Sequence, residues 1–445
     1  MPDTTGESAA LEALRALVRI PTVSRRRAEE VEPGVFERFH AELRARFPLL
    51  HEHLELTRIP SDGLLFHWPG VSARRPVVLM AHQDVVPVEP DDPWQHDPFG
   101  AEIADGHVWG RGTLDDKGPL VALCAAVEGL LADGFTPAYD VWLFFGCDEE
   151  VSGSSAATAV EELRRKGVEP WFVLDEGGAV ASGAVPAVDV PLAVVGVTEK
   201  GVTNVELRVE GRGGHSSVPA RLGPTARLAR AVTRIDAIAH PAQVPDATVE
   251  FIRRLAPHAP AVVRPLMKRA GRLRPLLASI LGRLGPEASS MTRTTAVATT
   301  LSGSPALNVV ATAAVAGVNI RVMVGDSVDD VLVRMRRAVA DDQVTFEVVD
   351  RNEPCPLSPV DDDAFRLLEA TVGEVFPDAV TVPYIMMAAT DSRHFAAICP
   401  RVYRFAPLRM SKDQRAAIHS YDERLGVRDF RDAATWYRRL LQNLA

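Results

Sequence analysis

Three short, almost wholly apolar runs, residues 76–81, 139–146 and 171–174, constrain this chain most, because each runs straight into chemistry. The first leads to His82-Gln83-Asp84, the second to Asp148-Glu149-Glu150, and the third to Asp175-Glu176. Apolar runs of strand length with no polar alternation read as strands covered on both faces, which is the signature of a parallel sheet between helices. Helical spacing over 8–19, 35–47, 119–132 and 154–166 supplies the covering elements. The expected fold class is therefore α/β, with a mostly parallel central sheet flanked by helices. Such open sheets hold ligands at the carboxyl ends of their strands, which is where these acids fall.

At 445 residues the chain is longer than the roughly 250–300 residues at which a single core stops growing. The pattern changes near Thr198-Glu199-Lys200-Gly201. From there a half-exposed strand (202–209), a helix (224–238), two strands (296–301 and 311–324), a helix (327–339) and a strand (344–349) follow the order of a split βαβ layer. Helices at 361–375 and 432–444 then return to the first unit. This places a nested, ferredoxin-like α+β domain at 200–350 inside a discontinuous domain formed by 1–199 and 351–445. Within the insert, 251–285 carries eight Lys or Arg and no acid. It reads as a solvated amphipathic helical pair, or as a basic mouth for anionic or lipid-like ligands.

A net charge of −10 argues against a whole-chain grip on nucleic acid or anionic lipid, and leaves room for a local basic face. No run approaches the roughly 18 apolar residues of a membrane span. The opening Met1-Pro2-Asp3-Thr4-Thr5-Gly6-Glu7 has neither basic nor apolar leader character. Four cysteines without a C-x-x-C pair fit a reducing compartment, so a cytoplasmic location is expected.

His82 and Asp84, two apart at a strand end, point to one side, so the carboxylate can orient the imidazole toward a metal. Acids crowded at one sheet edge repel one another unless a cation sits among them. Between these strands, Gly110-Arg111-Gly112-Thr113-Leu114-Asp115-Asp116-Lys117-Gly118 fails the dinucleotide and Walker spacings and delivers a carboxylate instead. Imidazole and carboxylate without thiolate suit zinc, manganese or cobalt in a hydrolytic site, and several acids with few histidines suggest two ions about 3.5–4 Å apart.

The ordered motifs His82-x-Asp84, Gly110-Arg111-Gly112-x-x-Asp115-Asp116-Lys117-Gly118, Asp148-Glu149-Glu150 and Asp175-Glu176-Gly177 resemble the M20 family of metallopeptidases. They are nearest to its carboxypeptidase S and N-acyl-amino-acid hydrolase branch, and the likeness spans the whole chain. It implies a zinc-peptidase catalytic domain with a lid. His82, Asp115 and Asp175 would hold one metal and Asp115, Glu150 and His419 the other, with zinc expected and cobalt or manganese as alternatives. Asp84 would orient His82, and Glu149 would be the general base. The Asp115–Asp116 peptide bond would be cis, and Glu423 stands where the family has an acid. In the lid, Gly213-Gly214-His215 matches the segment whose histidine polarises the scissile carbonyl. Asn308, Arg321, Thr390 and Arg393 match positions that grip a substrate carboxylate. Two departures are visible: Asn319 replaces an Asp, and Ala388-Ala389 replace two glycines before Thr390.

The activity so implied is metal-dependent hydrolysis of an amide beside a free carboxylate, in an N-acyl amino acid, a dipeptide or a peptide C-terminus. Alternatives are a non-catalytic, metal-stabilised peptide or lipid binder of the same fold and a two-metal phosphoesterase. The implied partners are a small-molecule or peptide substrate and a second copy of the chain through the lid. An enlarged 251–285 segment could instead let one chain supply its own lid histidine.

Overall fold

The structure is a computed structural model that describes residues 4–444 apart from Ala187, Ala220 and Leu284. Met1, Pro2 and Asp3 of the opening stretch and Leu284 of the basic segment thus lie outside the described residues.

The apolar runs form the centre of a ten-stranded sheet. Strand Ser72–His82 lies between Tyr139–Gly146 and Phe172–Asp175, parallel to both, and Val402–Arg404 continues the parallel block beside Phe172–Asp175. His82 stands level with Gly146, so the three strands release their following residues at one edge. Antiparallel pairings flank this block on both sides, through Gly63–Trp68 on one and Leu192–Glu199 on the other.

Helix Lys117–Ala132 is apolar nearly all round because it is covered nearly all round, by Val427–Gln442 and the first helix Thr4–Val18 among others. Trp436 and Tyr437 on Val427–Gln442 pack edge to face inside this layer, and Trp436 also meets Phe405. On the opposite face, Ser155–Arg165 buries Ala156, Ala159, Val160 and Leu163.

A second, four-stranded sheet has the order Thr295–Ser302, Ala313–Val322, Gly201–Glu210, Thr345–Asp350, antiparallel throughout. With Pro224–Asp236 and Val328–Val339 packed on it, this is the ferredoxin-like order expected. Gly201–Glu210 and Ala313–Val322 alternate buried and half-buried residues, as strands covered on one face must. A separate two-stranded ladder, Gly214–His215 against Val309–Val310, joins segments far apart in sequence.

The basic segment is helical, but in short pieces. It begins within Asp246–Leu255 and continues as two short helices, Arg264–Lys268 and Arg274–Leu281. Pro257, Pro260, Pro265 and Pro275 break the run, because proline cannot donate within a helix interior.

Candidate active site

His82 ends a strand whose last six residues are all buried. Its Nε2 lies 2.9 Å from Asp115 Oδ1, and its Nδ1 lies 3.0 Å from the carbonyl oxygen of Asp84. The Asp84 carboxylate is farther from Nδ1, at 3.5 Å, and accepts instead from the backbone amides of Glu149 and Glu150 at 3.2 and 3.1 Å. Asp84 thus fixes His82 mainly through its backbone, while its side chain fixes the next strand end. That second task is not visible in a two-residue spacing.

The loop 110–118 sets Asp115. Gly112 has φ +85°, and a Cβ there would meet Val85 Cγ1 at 2.7 Å, so glycine is required. The Asp115–Asp116 peptide is cis, as the resemblance implied. Lys117 is buried and donates to the carbonyls of Ile20 and Leu17 at 2.6 and 3.2 Å, which ties the loop to the end of the first helix.

The second oxygen of Asp115 faces a different histidine: Oδ2 lies 3.0 Å from His419 Nε2, which is also 3.0 Å from Glu150 Oε2. One carboxylate therefore spans two imidazoles. Asp175, at the end of the third strand, accepts from the amide of Ser392 at 2.9 Å. The carboxylates of Asp115 and Glu150 push the His419 imidazole up to about 10. Burial drives Glu149 well above the ordinary carboxylate range, with Asp391, Glu150 and Asp115 adding repulsion.

The ligand atoms of His82, Asp115 and Glu150 lie within 4.8 Å of one another. Glu150 Oε1 and both carboxylate oxygens of Asp391 are buried with no hydrogen-bond partner. Hard oxygen and imidazole donors, converging and under-satisfied, fit a divalent cation.

A cleft of about 1190 Å³ opens over this edge, lined by Glu149, Glu150 and His419 on the sheet side and by Arg321 on the ferredoxin-like side. Arg393 also lines it, its guanidinium donating to Thr390 O at 2.7 Å. Asn319 Oδ1 accepts from Arg321 Nε at 3.2 Å, so the replacement of an acid by Asn319 keeps an acceptor for the guanidinium.

Three of the residues expected to meet substrate lie elsewhere. Thr390 is buried, and its hydroxyl is engaged with Glu199 Oε1 at 2.8 Å. His215 is exposed on the two-stranded ladder, its Nδ1 3.0 Å from Ser217 Oγ. Asn308 is exposed beside it, its carbonyl accepting from Ser216 N at 3.1 Å. Neither His215 nor Asn308 lines the cleft.

Two buried ion pairs went unread in the sequence. Glu199 accepts from Arg404 Nε at 2.6 Å beneath the cleft wall, and Glu423 accepts from Arg111 at 2.7 Å behind the Asp115 loop. The Glu199-Lys200 step at the change of pattern was the one available signal for the first. For the second, it was the acid four residues after His419.

A shared carboxylate between two imidazoles, at the carboxyl edge of a parallel block and facing a ferredoxin-like layer, is the arrangement of a metallohydrolase. The sequence profile of Peptidase family M20/M25/M40 matches residues 78–443, and the chain belongs to that family. It is an enzyme of the metallopeptidase and amidohydrolase type. The chain is 33% identical over 422 residues to the probable carboxypeptidase S-like 2 of Dictyostelium discoideum, covering 93% of this chain and 80% of that one. It is 33% identical over 439 residues to the N-fatty-acyl-amino acid synthase/hydrolase PM20D1 of Homo sapiens, covering 97% and 87%. In fold it is similar to an M20 family metallo-carboxypeptidase, Sso-CP2 from Sulfolobus solfataricus, with a TM-score of 0.74 at 17% identity over 98% of this chain and 99% of that one. Human carnosine dipeptidase 1 follows, with a TM-score of 0.69 at 16% identity over 98% and 96%.

Proposed function

We propose that this enzyme hydrolyses an amide bond beside a free carboxylate, in an N-acyl amino acid, a dipeptide or a peptide C-terminus. The observation that carries the reading is Asp115 spanning His82 and His419, with Glu150 on the His419 side. In this reading His82, Asp115 and Asp175 hold one divalent ion and Asp115, Glu150 and His419 a second. Zinc suits these donors, with cobalt or manganese as substitutes. When bound, such ions supply Lewis acidity and lower the pKa of a water toward about 7.

The chain's own residues do the rest. Glu149 takes the proton of the attacking water and passes it to the leaving nitrogen, and its upward shift by burial suits a group that must hold that proton in transit. Arg321 and Arg393, from opposite walls of the cleft, grip the substrate carboxylate. Thr390 acts from behind by holding Glu199 and the 390–393 turn.

The domain at 200–350 serves as a lid on the domain formed by 1–199 and 351–445. His215 and Asn308 lie together at the two-stranded ladder, outside their own cleft, which supports a homodimer in which each lid completes the other subunit's site. The names of the relatives, carboxypeptidase S-like and N-fatty-acyl-amino acid synthase/hydrolase, support a carboxylate-bearing amide as substrate. All four cysteines are buried, in keeping with a reducing cytoplasm.

The test is a mass-spectrometric screen of zinc-loaded protein against N-acyl amino acids, dipeptides and p-nitrophenyl phosphate. Cleavage confined to carboxylate-bearing amides is expected. Turnover of the phosphate ester with no amide cleaved would replace this reading by a phosphoesterase.

A further inference from the structure

None of the described residues of the segment 251–285 lines the catalytic cleft, yet the segment carries eight cations without an acid. Residues 261–266 are all exposed. Val262 is 91% exposed, and Leu266, Leu276 and Ile280 are exposed too. Four exposed aliphatic side chains in so short a stretch are costly in water unless something covers them. Arg254 and Arg274 are paired with Glu250, Glu369 and Asp246. Among the described residues, no ion pair engages Lys268, Arg269, Arg272 or Arg283.

A pocket of about 470 Å³ opens on the same helix, Arg274–Leu281. Among the described residues, Pro275, Ser279, Gly282, Arg283 and Arg293 line it, and no carboxylate does. Arg283 donates to the Ser279 hydroxyl, and Arg293 Nε is buried without a partner. Leu276 and Ile280, each one residue on from a pocket-lining position, lie about 100° round the same helix, so they flank the cationic pocket.

We propose that residues 260–283 dock the protein on an anionic phospholipid surface. Val262, Leu266, Leu276 and Ile280 enter the interfacial layer, Lys268, Arg269 and Arg272 meet head groups, and the Arg283–Arg293 pocket receives a lipid phosphate. Charge complementarity selects this occupant: a chain of net charge −10 is attracted to an anionic membrane only through a local cationic face, and that attraction orients it. A nucleic acid is disfavoured, because residues 252–285 contain no Phe, Tyr or Trp on which a base would stack, and aliphatics gain nothing from phosphates. No helix among the described residues is long and apolar enough to cross a membrane, so the attachment is peripheral and reversible.

Co-sedimentation of the whole protein with vesicles tests this. The protein should pellet with vesicles of phosphatidylcholine and phosphatidylglycerol in equal parts, should not pellet with phosphatidylcholine alone, and should be released by salt. Combining Lys268→Glu, Arg269→Glu and Arg272→Glu should weaken binding by at least about a hundredfold, at about fivefold per cation lost, before the repulsion of the new glutamates is added. Leu266→Ser with Leu276→Ser should weaken it while leaving its salt dependence. Far-UV circular dichroism and melting temperature, unchanged in both variants, guard against misfolding. No pelleting with the anionic vesicles, equal pelleting with phosphatidylcholine, undiminished binding of the triple variant, or capture by DNA in place of vesicles would each overturn the proposal.

Discussion

Arg111 donates to Glu423 across 312 residues of sequence, at 2.7 Å, with neither side chain reaching solvent. The other oxygen of Glu423 accepts the backbone amides of Leu114 and Asp115 at 2.8 and 3.2 Å, and Arg111 also donates to the carbonyl of Ser420 at 2.6 Å. The loop that presents Asp115 and the turn that presents His419 are thus clamped by one buried pair.

Glu423→Ala leaves the Arg111 guanidinium buried and uncompensated and frees both amides. A loss of about 3–5 kcal/mol is expected from breaking a buried pair on one side. Chemical denaturation should show it, and isothermal titration of zinc should show weakened binding, because Asp115 and His419 are no longer held together. A variant with unaltered stability and metal affinity would mean that the two segments are positioned by other contacts.

Glu149→Gln keeps the shape of the side chain and removes its proton acceptor. Since Glu149 is not placed among the metal ligands, metal content measured by plasma mass spectrometry should stay at the wild-type level. Turnover should fall by about two to four orders of magnitude. Near-normal turnover would take the general-base role away from this residue.

The strand-end chemistry was legible because it is local. His82, Glu149, Glu150 and Asp175 each follow an apolar run within a few residues, and the parallel block brings those ends to one edge. The ferredoxin-like layer was legible for the same reason, since Gly201–Glu210 and Ala313–Val322 are long enough to show their alternation. Strands such as Ala179–Ala181 and Arg409–Met410 are too short to carry any period. The Arg404–Glu199 and Arg111–Glu423 pairs depend on contacts between distant segments that no spacing encodes. The placement of His215 outside its own cleft is a matter of tertiary position, and the histidine in its glycine-rich turn reads the same either way.

That placement makes mixing the sharpest test of assembly. Glu149→Ala and His215→Ala chains should each be inactive alone. Unfolded and refolded together, they should regain activity, because a mixed dimer holds one site with both Glu149 and a partner histidine. Persistent inactivity with confirmed heterodimers would show that the lid histidine serves its own subunit or none.

Arg321 lies on the lid wall of the cleft, and burial lowers its pKa below the ordinary guanidinium value. Arg321→Ala should raise KM for a carboxylate substrate by about 10- to 100-fold, the size of a lost charge-assisted hydrogen bond. The corresponding amide lacking the carboxylate, a poor substrate for both proteins, should show no such difference. Equal effects on both would make Arg321 structural.

The pH dependence of stability has a separable contribution from His40. Its Nε2 lies 2.7 Å from Gln83 Oε1 and its Nδ1 lies 2.5 Å from an Arg58 nitrogen. A guanidinium can only donate, so Nδ1 is the acceptor and the ring is neutral. Burial first, and then the Arg58 charge, lower the imidazole from 6.5 to about 4. Between those values the unfolded chain binds the proton and the folded chain does not. Stability from this group is therefore whole above about pH 6.5 and is lost as pH falls toward about 4. At about 1.4 kcal/mol per pH unit, reduced for the solvent that reaches the ring, the loss is on the order of 2 kcal/mol. His40→Gln removes the titration and leaves the acids of the site in place. Its stability relative to wild type, measured by denaturant unfolding at about pH 7 and about pH 4.5, should improve by that amount at the lower pH. Parallel pH profiles for the two proteins would mean that His40 is already protonated in the fold.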